Sequence, residues 1–365
     1  MTPPASLSQD EAFARIRLLR SPNIGPVSYA QLLRRFGNAC AALDALPDLA
    51  GRAGKGYRAA SRESVEREVS AVRAAGARYL FHDSSGYPAL LGQIDGAPPI
   101  LTVRGDAALA NGPCVAIVGA RNASAAAVKL ARDFGMGLSE RGFTVVSGLA
   151  RGIDGAAHEG AFPRTVGVIA SGIDIAYPPQ HTDLQERIAS EGLLIAEQPP
   201  GTEPRGSHFP SRNRIIAGMA LGTLVVEAAP KSGSLITARL AGEAGREIMA
   251  IPGSPLDARS HGCNQLIREG AVLVQSVDDV AELLTGFDGK PRSMVRDAAP
   301  LSFVVDDPLT DDPADIATLL TTAPVAVDEL VRQSGASTGA VQMALLELEI
   351  AGRLTRHAGG RVSLG

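Results

Sequence analysis

Val115-Ala116-Ile117-Val118 is an apolar run of strand length, and it leads directly into Gly119-Ala120-Arg121-Asn122-Ala123-Ser124, which reads as a loop before a helix. Six more short apolar runs follow along the chain. They lie at 144–146, 166–169, 193–196, 223–226, 248–251 and 272–274. The runs are apolar throughout rather than alternating, which is typical of strands that are covered on both faces.

Amphipathic segments of helical length separate these runs. We predict helices at 124–141, 153–161, 181–191, 209–220, 233–245 and 264–269. Strands that alternate with helices indicate right-handed βαβ units and a parallel sheet. The predicted fold class is therefore α/β, with the sheet in a domain at 78–285.

Composition limits the classes of protein to consider. The chain has 365 residues, 45% of them apolar, and a formal net charge of −4. Because no apolar run approaches ~18 residues, we expect no transmembrane helix, and no secretory signal is visible at the N-terminus. The cysteines Cys40, Cys114 and Cys263 lie far apart. This spacing favours a reducing, cytoplasmic location over a disulfide scaffold.

Residues 1–77 are predicted to form a helical domain. The segment Asn23-Ile24-Gly25-Pro26-Val27 separates predicted helices at 12–20 and 29–36. This arrangement fits a helix-hairpin-helix element, whose glycine turn can direct backbone N–H groups at a phosphate. A plain helical cap on a neighbouring domain is the alternative, and we favour it because the hairpin pattern is short and common.

The C-terminal part is predicted to be a linker at 286–312 and a winged-helix domain at 313–365. Three short helices are expected at 316–320, 327–332 and 340–350, followed by a hairpin at 353–355 and 361–364. The would-be recognition helix, 338–351, contains two glutamates and no Lys or Arg. Since a helix that reads DNA should be basic, we favour a protein contact for this domain.

Basic and hydroxyl side chains follow the predicted strands, at the edge where open parallel sheets bind ligands. Arg121 stands where a dinucleotide-binding loop would have its second glycine. An arginine there prevents close approach of the backbone to a pyrophosphate, but its guanidinium can itself pair with a phosphate. The run at 144–146 is followed by Ser147 and Gly148 and then by Arg151.

The stretch Phe209-Pro-Ser-Arg-Asn-Arg214 places two arginines where we predict the start of a helix. Cations at a helix N-terminus are unfavourable unless an anion binds there. The stretch Lys231-Ser-Gly-Ser234 offers a second phosphate cradle, without the spacing of a P-loop. The predicted phosphate-binding residues are Gly119, Arg121, Ser147, Gly148, Arg151, Arg212, Asn213, Arg214, Lys231, Ser232, Gly233 and Ser234.

No catalytic or metal-binding pattern stands out in the sequence. The histidines are scattered without ligand spacing, and there is no GxSxG elbow. Asp154 and His158 share a helical face, but such a pair is more often structural than catalytic. Tyr177 is equally suited to stacking on a base and to burial. We therefore expect neither an enzyme nor a bound metal or cofactor.

The motifs, taken in order, resemble the bacterial DNA-processing protein A family (DprA, also called Smf). The matching segments include Val118-Gly-Ala-Arg121, Ser147-Gly-Leu-Ala-Arg-Gly-Ile-Asp154, Phe209-Pro-Ser-Arg-Asn-Arg-Ile-Ile-Ala-Gly218, Ser232-Gly-Ser-Leu-Ile-Thr-Ala238 and Ile251-Pro-Gly253. Ala120 departs mildly from the family pattern, where serine is common.

The resemblance implies an extended Rossmann-like sheet core between a sterile-alpha-motif-like or helix-hairpin-helix domain and a winged-helix domain. It also implies sequence-independent binding of single-stranded DNA, protection of incoming strands and loading of the RecA recombinase during natural transformation. Family members usually dimerise through the Rossmann-like domain, and no membrane is involved. With 4% aromatic residues, phosphate contacts should carry most of the affinity.

Two other functions remain open at this stage. Nucleoside-monophosphate phosphoribohydrolases of the LOG type have a similar fold, and Glu227 and Arg239 could be remnants of their catalytic pair. However, Pro230-Lys-Ser-Gly-Ser-Leu235 interrupts the glycine pair of their phosphate loop. A partner-binding scaffold centred on the C-terminal domain is the third hypothesis.

Overall fold

The computed structural model describes residues 7–51, 57–286, 314–357 and 359–365. These residues divide into two compact units. The larger unit runs from Glu68 to residue 286, and the smaller unit combines the described residues up to Arg67 with those from residue 314 onward. The predicted linker at 286–312 lies outside the described residues except for Gly286.

The larger unit is built on a sheet that has nine strands within the described residues. They are β1 Arg78–Phe81, β2 Ile100–Gly105, β3 Cys114–Gly119, β4 Thr144–Ser147, β5 Thr165–Gly172, β6 Leu193–Gln198, β7 Gly222–Val226, β8 Glu247–Ala250 and β9 Val272–Leu273. Their order across the sheet is β1-β2-β6-β5-β4-β3-β7-β8-β9. Strands β3 to β9 are parallel, whereas β1 and β2 pair antiparallel at one edge.

Helices connect most of the strands and continue into the smaller unit. Their bounds are α1 Gln9–Leu19, α2 Pro26–Phe36, α3 Ala39–Gly51, α4 Arg62–Ala74, α5 Ala125–Glu140, α6 Ile153–Ala161, α7 Thr182–Glu191, α8 His208–Met219, α9 Gly233–Glu243, α10 His261–Arg268, α11 Val277–Leu284, α12 Ala314–Leu319, α13 Val327–Ser334 and α14 Thr338–Ile350. The seven strands and six helices predicted between 115 and 274 are confirmed. Strands β1 and β2 were not predicted, because no helix connects them and they fall outside the strand–helix alternation.

The apolar strands fill the core on both sides of the sheet. In β3, Val115 and Ile117 pack in one cluster with Phe134 of α5. Ala116 and Val118 point the other way, into a cluster with Ile215 of α8. Successive side chains of a strand point to opposite faces, so a strand covered on both faces has no position that alternates toward water. This explains the continuous apolar runs in the sequence.

The loops that follow β3, β4, β5 and β7 meet at one edge, because parallel strands end on the same side. Close backbone packing holds these loops together. Ala120 N donates a hydrogen bond to Glu227 O over 2.8 Å. At Gly119, a Cβ would lie 2.0 Å from Val226 O, so only glycine lets β3 and the end of β7 approach this closely.

The smaller unit contains α1–α3 together with the C-terminal helices α12–α14. It also holds a three-stranded sheet, in the order β10 Val325–Ala326, β12 Arg361–Leu364 and β11 Leu354–His357. Three helices followed by a hairpin confirm the predicted winged helix. The short strand β10, which was not predicted, adds a third strand next to β12.

None of the helices in the described part of the chain is long and apolar enough to span a membrane.

Candidate nucleic-acid interface

A cavity of about 250 Å³ opens among the loops at the carboxyl edge of the sheet. Four of the predicted residues line it: Arg121, Gly148, Arg151 and Arg212. Residues from the loops after β4 and β5 and from α8 complete the lining: Leu149, Ala150, Ile169, Ala170, Tyr177, Pro178, Pro179, Gln180 and Phe209. Three guanidinium groups from separate crossover connections thus share one cavity.

Arg212 forms the inner wall of the cavity and is only 6% exposed. Its Nη1 donates a hydrogen bond to Val168 O of β5 over 3.1 Å, while its Nε has no partner. Burial lowers the pKa of Arg212 to about 10, and repulsion from Arg121 lowers it further. The negative charge of Asp154 acts in the opposite direction and raises the pKa. The guanidinium is therefore still charged at neutral pH, and it sits where an anion would offset the cost of burying it.

Gly148 makes room for this guanidinium. A Cβ at Gly148 would lie 1.5 Å from Arg212 Nη1. Any side chain at position 148 would therefore displace the arginine from the cavity wall. Gly148 was predicted to bind phosphate, and its backbone N–H instead donates a hydrogen bond to Asp154 Oδ2 over 3.1 Å.

Asp154 organises the loop after β4 from its place in the first turn of α6. Its carboxylate accepts hydrogen bonds from the backbone of Gly148 and, over 3.4 Å, from Ala150 N. Burial raises the pKa of Asp154, while the nearby Arg212 and the two backbone donors lower it. Asp154 thus supports the loop and supplies negative charge next to Arg212, and it does not cap α6.

The rim of the cavity combines cations with aromatic rings. Arg121 and Arg151 are exposed, and the Arg121 guanidinium lies 5.3 Å from the centre of the Phe209 ring. Tyr177 is 41% exposed, and its ring centroid is 5.8 Å from that of Phe209. Of the two possibilities for Tyr177, the structure gives the exposed one. An aromatic pair beside arginines suits the binding of a nucleotide base and its phosphate.

Other predicted residues lie outside this cavity. Ser147 is fully buried, and its hydroxyl donates to Ile117 O over 2.6 Å, so it supports the sheet. Arg214 is paired with Glu197 at the end of β6, and both side chains are mostly buried. Asn213 is 9% exposed, and its Nδ2 faces Gly233 O at 3.5 Å.

The Lys231–Ser234 segment forms a separate feature on the same edge, at the beginning of α9. Lys231 and Gly233 are exposed, and the hydroxyls of Ser232 and Ser234 lie 2.8 Å apart. These residues do not line the cavity. Gly119, as part of the close β3–β7 packing, does not line it either.

One premise of the sequence prediction is wrong. Helix α8 begins at His208, so Arg212 and Arg214 lie in its second turn and not at its N-terminus. Their charges are balanced by Asp154 and Glu197, and not by proximity of an anion to a helix end. Phe209 was not predicted as a site residue, although its place next to the arginines was a usable signal.

The residues considered for catalysis have structural partners. The Glu227 carboxylate accepts from Ser124 N over 2.9 Å and from Ser124 Oγ over 2.6 Å. Arg239 is exposed and pairs with Glu243 on its own helix. In the described residues, no group of three His, Cys, Asp or Glu side chains is arranged to hold a metal ion.

His158 is fully buried behind the site. Its Nδ1 lies 2.6 Å from the hydroxyl of Thr165. Burial, together with the charges of His181 and Arg212, lowers the pKa of His158 to about 3. The ring is therefore neutral in the folded protein and packs between α6 and β5.

The fold and the site together define a Rossmann-like α/β protein with a cationic cavity, flanked by a helix-hairpin-helix domain and a winged-helix domain. Family descriptions match each part: DNA recombination-mediator protein A at residues 78–285, the DprA-like N-terminal HHH domain at 9–71 and the DprA winged helix domain at 304–360. The chain belongs to the DNA recombination-mediator protein A family.

Named relatives and solved structures agree with this assignment. The chain is 35% identical over 315 residues to Protein Smf of Synechocystis, covering 78% of this chain and 79% of that protein. It is 46% identical over 197 residues to DNA processing protein DprA of Streptococcus pneumoniae, covering 53% of this chain and 70% of that protein.

Two solved structures of the same family superpose on the chain. The X-ray structure of the S. pneumoniae protein has a TM-score of 0.62 at 34% identity and covers 75% of this chain and 97% of its own. DNA processing protein A of Helicobacter pylori, described for its single-stranded DNA binding mode, has a TM-score of 0.52 at 27% identity and covers 57% of this chain and 95% of its own.

The buried histidine predicts a specific acid sensitivity. Between the unfolded pKa of about 6.5 and the folded value, the unfolded chain binds the extra proton, so the free energy of unfolding falls as pH falls. At pH 5 this loss is about 2 kcal/mol. Urea unfolding at pH 7.5 and pH 5 measures this change in the free energy of unfolding. The decrease that is due to His158 should be absent in His158→Asn and present in the control His82→Asn, which changes an exposed histidine. Equal pH dependence in the wild type and His158→Asn would contradict the assignment.

Proposed function

We propose that this protein binds single-stranded DNA without sequence preference through the cavity at the carboxyl edge of its sheet. The observation that carries the proposal is the convergence of Arg121, Arg151 and the buried Arg212 on one cavity with an aromatic rim. The H. pylori relative, described as a single-stranded DNA binder, supports the same ligand for this chain.

Each part of the cavity has a role in this proposal. Exposed Arg121 and Arg151 attract and hold backbone phosphates, because a guanidinium can pair with two phosphate oxygens. Arg212 supplies charge from a site that excludes water, where its attraction for an anion is strengthened. Tyr177 and Phe209 provide a face for base stacking. Because three of the residues that line the cavity are arginines, affinity should depend mainly on the phosphate backbone and on ionic strength.

The biological role that we propose rests on membership of the family. We propose that the protein acts in the cytoplasm, where it protects incoming single strands and loads RecA onto them during natural transformation. Its support is the resemblance of the motifs and the relatives named DNA processing protein DprA in S. pneumoniae and Bacillus subtilis. A cavity that holds phosphates and stacks few bases leaves most base edges accessible to a recombinase.

We also propose that the protein has no catalytic activity of its own. Glu227, which would have to act on a nucleotide in a LOG-type enzyme, uses both carboxylate oxygens on Ser124. Arg239, its would-be partner, is turned to solvent and paired with Glu243.

A homodimer through the sheet unit is the assembly we propose. Strand β9 is the last strand of the sheet, and Val272 and Leu273 on it are 37% and 45% exposed. An exposed apolar edge strand is a surface that proteins usually cover. Leu266 and Ile267 of the neighbouring helix α10 are also apolar, but both are partly buried against the core, so β9 is the better candidate.

Replacing Arg121 by alanine should weaken single-strand binding and reduce the salt dependence. One lost phosphate contact lowers the slope of log K against log salt by about 0.7 for a single strand. Fluorescence anisotropy with labelled oligo-dT at several salt concentrations measures this slope. Arg132→Ala, which removes an exposed arginine outside the cavity, is the control and should leave the slope unchanged. An unchanged slope for Arg121→Ala would remove this residue from the interface.

Leu273→Asp should convert a dimer into a monomer, because a carboxylate on β9 would be buried without a partner at the interface. Sedimentation velocity measures the change in mass. Leu256→Asp, at a loop position that is 95% exposed, should leave the dimer intact. A dimer that survives Leu273→Asp would exclude this edge.

Incubation with nucleoside monophosphates should release no free base, since Glu227 is not available to a substrate. Chromatography of the reaction mixture tests this, with a LOG-type enzyme as the positive control. Base released at a rate that Glu227→Gln abolishes would favour the enzyme hypothesis instead.

A further inference from the structure

Helix α14 occupies the position of a winged-helix recognition helix, yet both of its apolar sides are covered. Val341, Ala344, Leu345 and Leu348 pack into the core of the winged-helix domain, with α12, α13 and the hairpin. Met343, Leu346 and Ile350 instead pack with α1, α2 and α3 of the N-terminal helices. Each set follows helical spacing, and a helix that is apolar on all sides is a buried helix.

Polar contacts fix this packing at two places. Asn23 Nδ2, in the turn between α1 and α2, donates to Ile350 O at the end of α14 over 3.0 Å. Gln31 Nε2 on α2 donates to Gln342 Oε1 on α14 over 2.7 Å. The N-terminal hairpin turn therefore holds one of the carbonyls that α14 leaves unpaired at its C-terminus.

The hairpin turn has little left to offer a phosphate. Gly25 N donates to Ser28 Oγ over 2.9 Å, and Pro26 has no N–H. Asn23 adopts a left-handed φ of 61°, which asparagine tolerates, and this conformation directs its amide at α14. The turn is therefore in contact with protein, which agrees with the helical cap favoured from the sequence over a phosphate-binding hairpin.

The charges on α14 also disfavour DNA. Glu347 is only 6% exposed, and Glu349 pairs with Arg356 of β11 over 2.8 Å. With no Lys or Arg, α14 has no cationic side chain to pair with the phosphates beside a groove.

We propose that the winged-helix domain is a protein-docking module whose partner is the N-terminal helical domain of the same chain. Its recognition helix α14 and the α1–α2 turn bind each other, and neither contacts DNA in the intact protein. This inference goes beyond the proposed function, because it assigns a role to two domains that the cavity does not involve.

Cross-linking of the full-length protein tests the docking. In a Cys40→Ser background, which removes the exposed cysteine, Gln31→Cys and Gln342→Cys are joined by a short bismaleimide. We expect an adduct within one chain, identified by peptide mass spectrometry. Adding Leu346→Asp should reduce its yield at least five-fold, while Thr322→Asp, an equal charge at an exposed site, should not reduce it.

A milder variant covers the case in which Leu346→Asp fails to fold. Asn23→Gly keeps the left-handed turn but removes the bond to Ile350 O, and we expect it to lower the adduct yield by about two-fold. Docking within the chain would be overturned by an adduct between two chains. It would also be overturned if the protein with Cys40→Ser, Gln31→Cys and Gln342→Cys, and no further substitution, formed no adduct.

DNA binding by the cross-linked form tests the second half of the proposal. Closing the interface covalently should leave the Kd for oligo-dT and for duplex DNA within two-fold of that of the untreated protein. A five-fold loss for either DNA would show that α14 or the hairpin turn contacts it. If the untreated protein binds no oligo-dT, the proposed function fails, while the cross-link still decides the docking.

Discussion

The burial of the Arg212 guanidinium is the constraint on which the rest of the site depends. A cation that is 6% exposed must be compensated, and the surrounding loops are arranged to do so. Val168 O accepts from it, Asp154 balances its charge, and Gly148 gives it space. Asp154 in turn binds the loop that carries Arg151 to the rim. Charge, loop shape and cavity are therefore linked through one side chain.

The sheet was predictable because its signal is local. Strands β3 to β9 are visible as short apolar runs in the sequence, and burial on both faces explains this for the strands in the middle of the sheet, although not for the exposed edge strand β9. Strands β1 and β2 were not predicted because they pair antiparallel and no helix connects them, so they fall outside the strand–helix alternation. The helices and the hairpin of the winged helix were also predictable from local sequence patterns. Strand β10 was not predicted, because two residues are too few to form a recognisable pattern.

The site was predictable only in part, because its arrangement depends on distant contacts. Arginines beside glycines in strand-end loops indicated Arg121 and Arg151, whereas Arg212 was indicated by its expected place at the start of a helix, which the structure does not support. Nothing local shows that Arg214 pairs with Glu197, 17 positions away, or that the Ser147 hydroxyl faces Ile117 O across the sheet. Such long-range hydrogen bonds and ion pairs depend on the order of the strands in the sheet, and no single sequence motif determines that order.

The contact between the two ends of the chain has a consequence for biosynthesis. Gln31 and Gln342 are 311 positions apart. At about 5–20 residues per second on the ribosome, the α1–α3 surface waits roughly 15–60 s for α14 to emerge. During that interval its apolar surface is exposed and can contact other nascent polypeptides. During translation, the apolar surface of α1–α3 therefore stays without its native cover until α14 has been made.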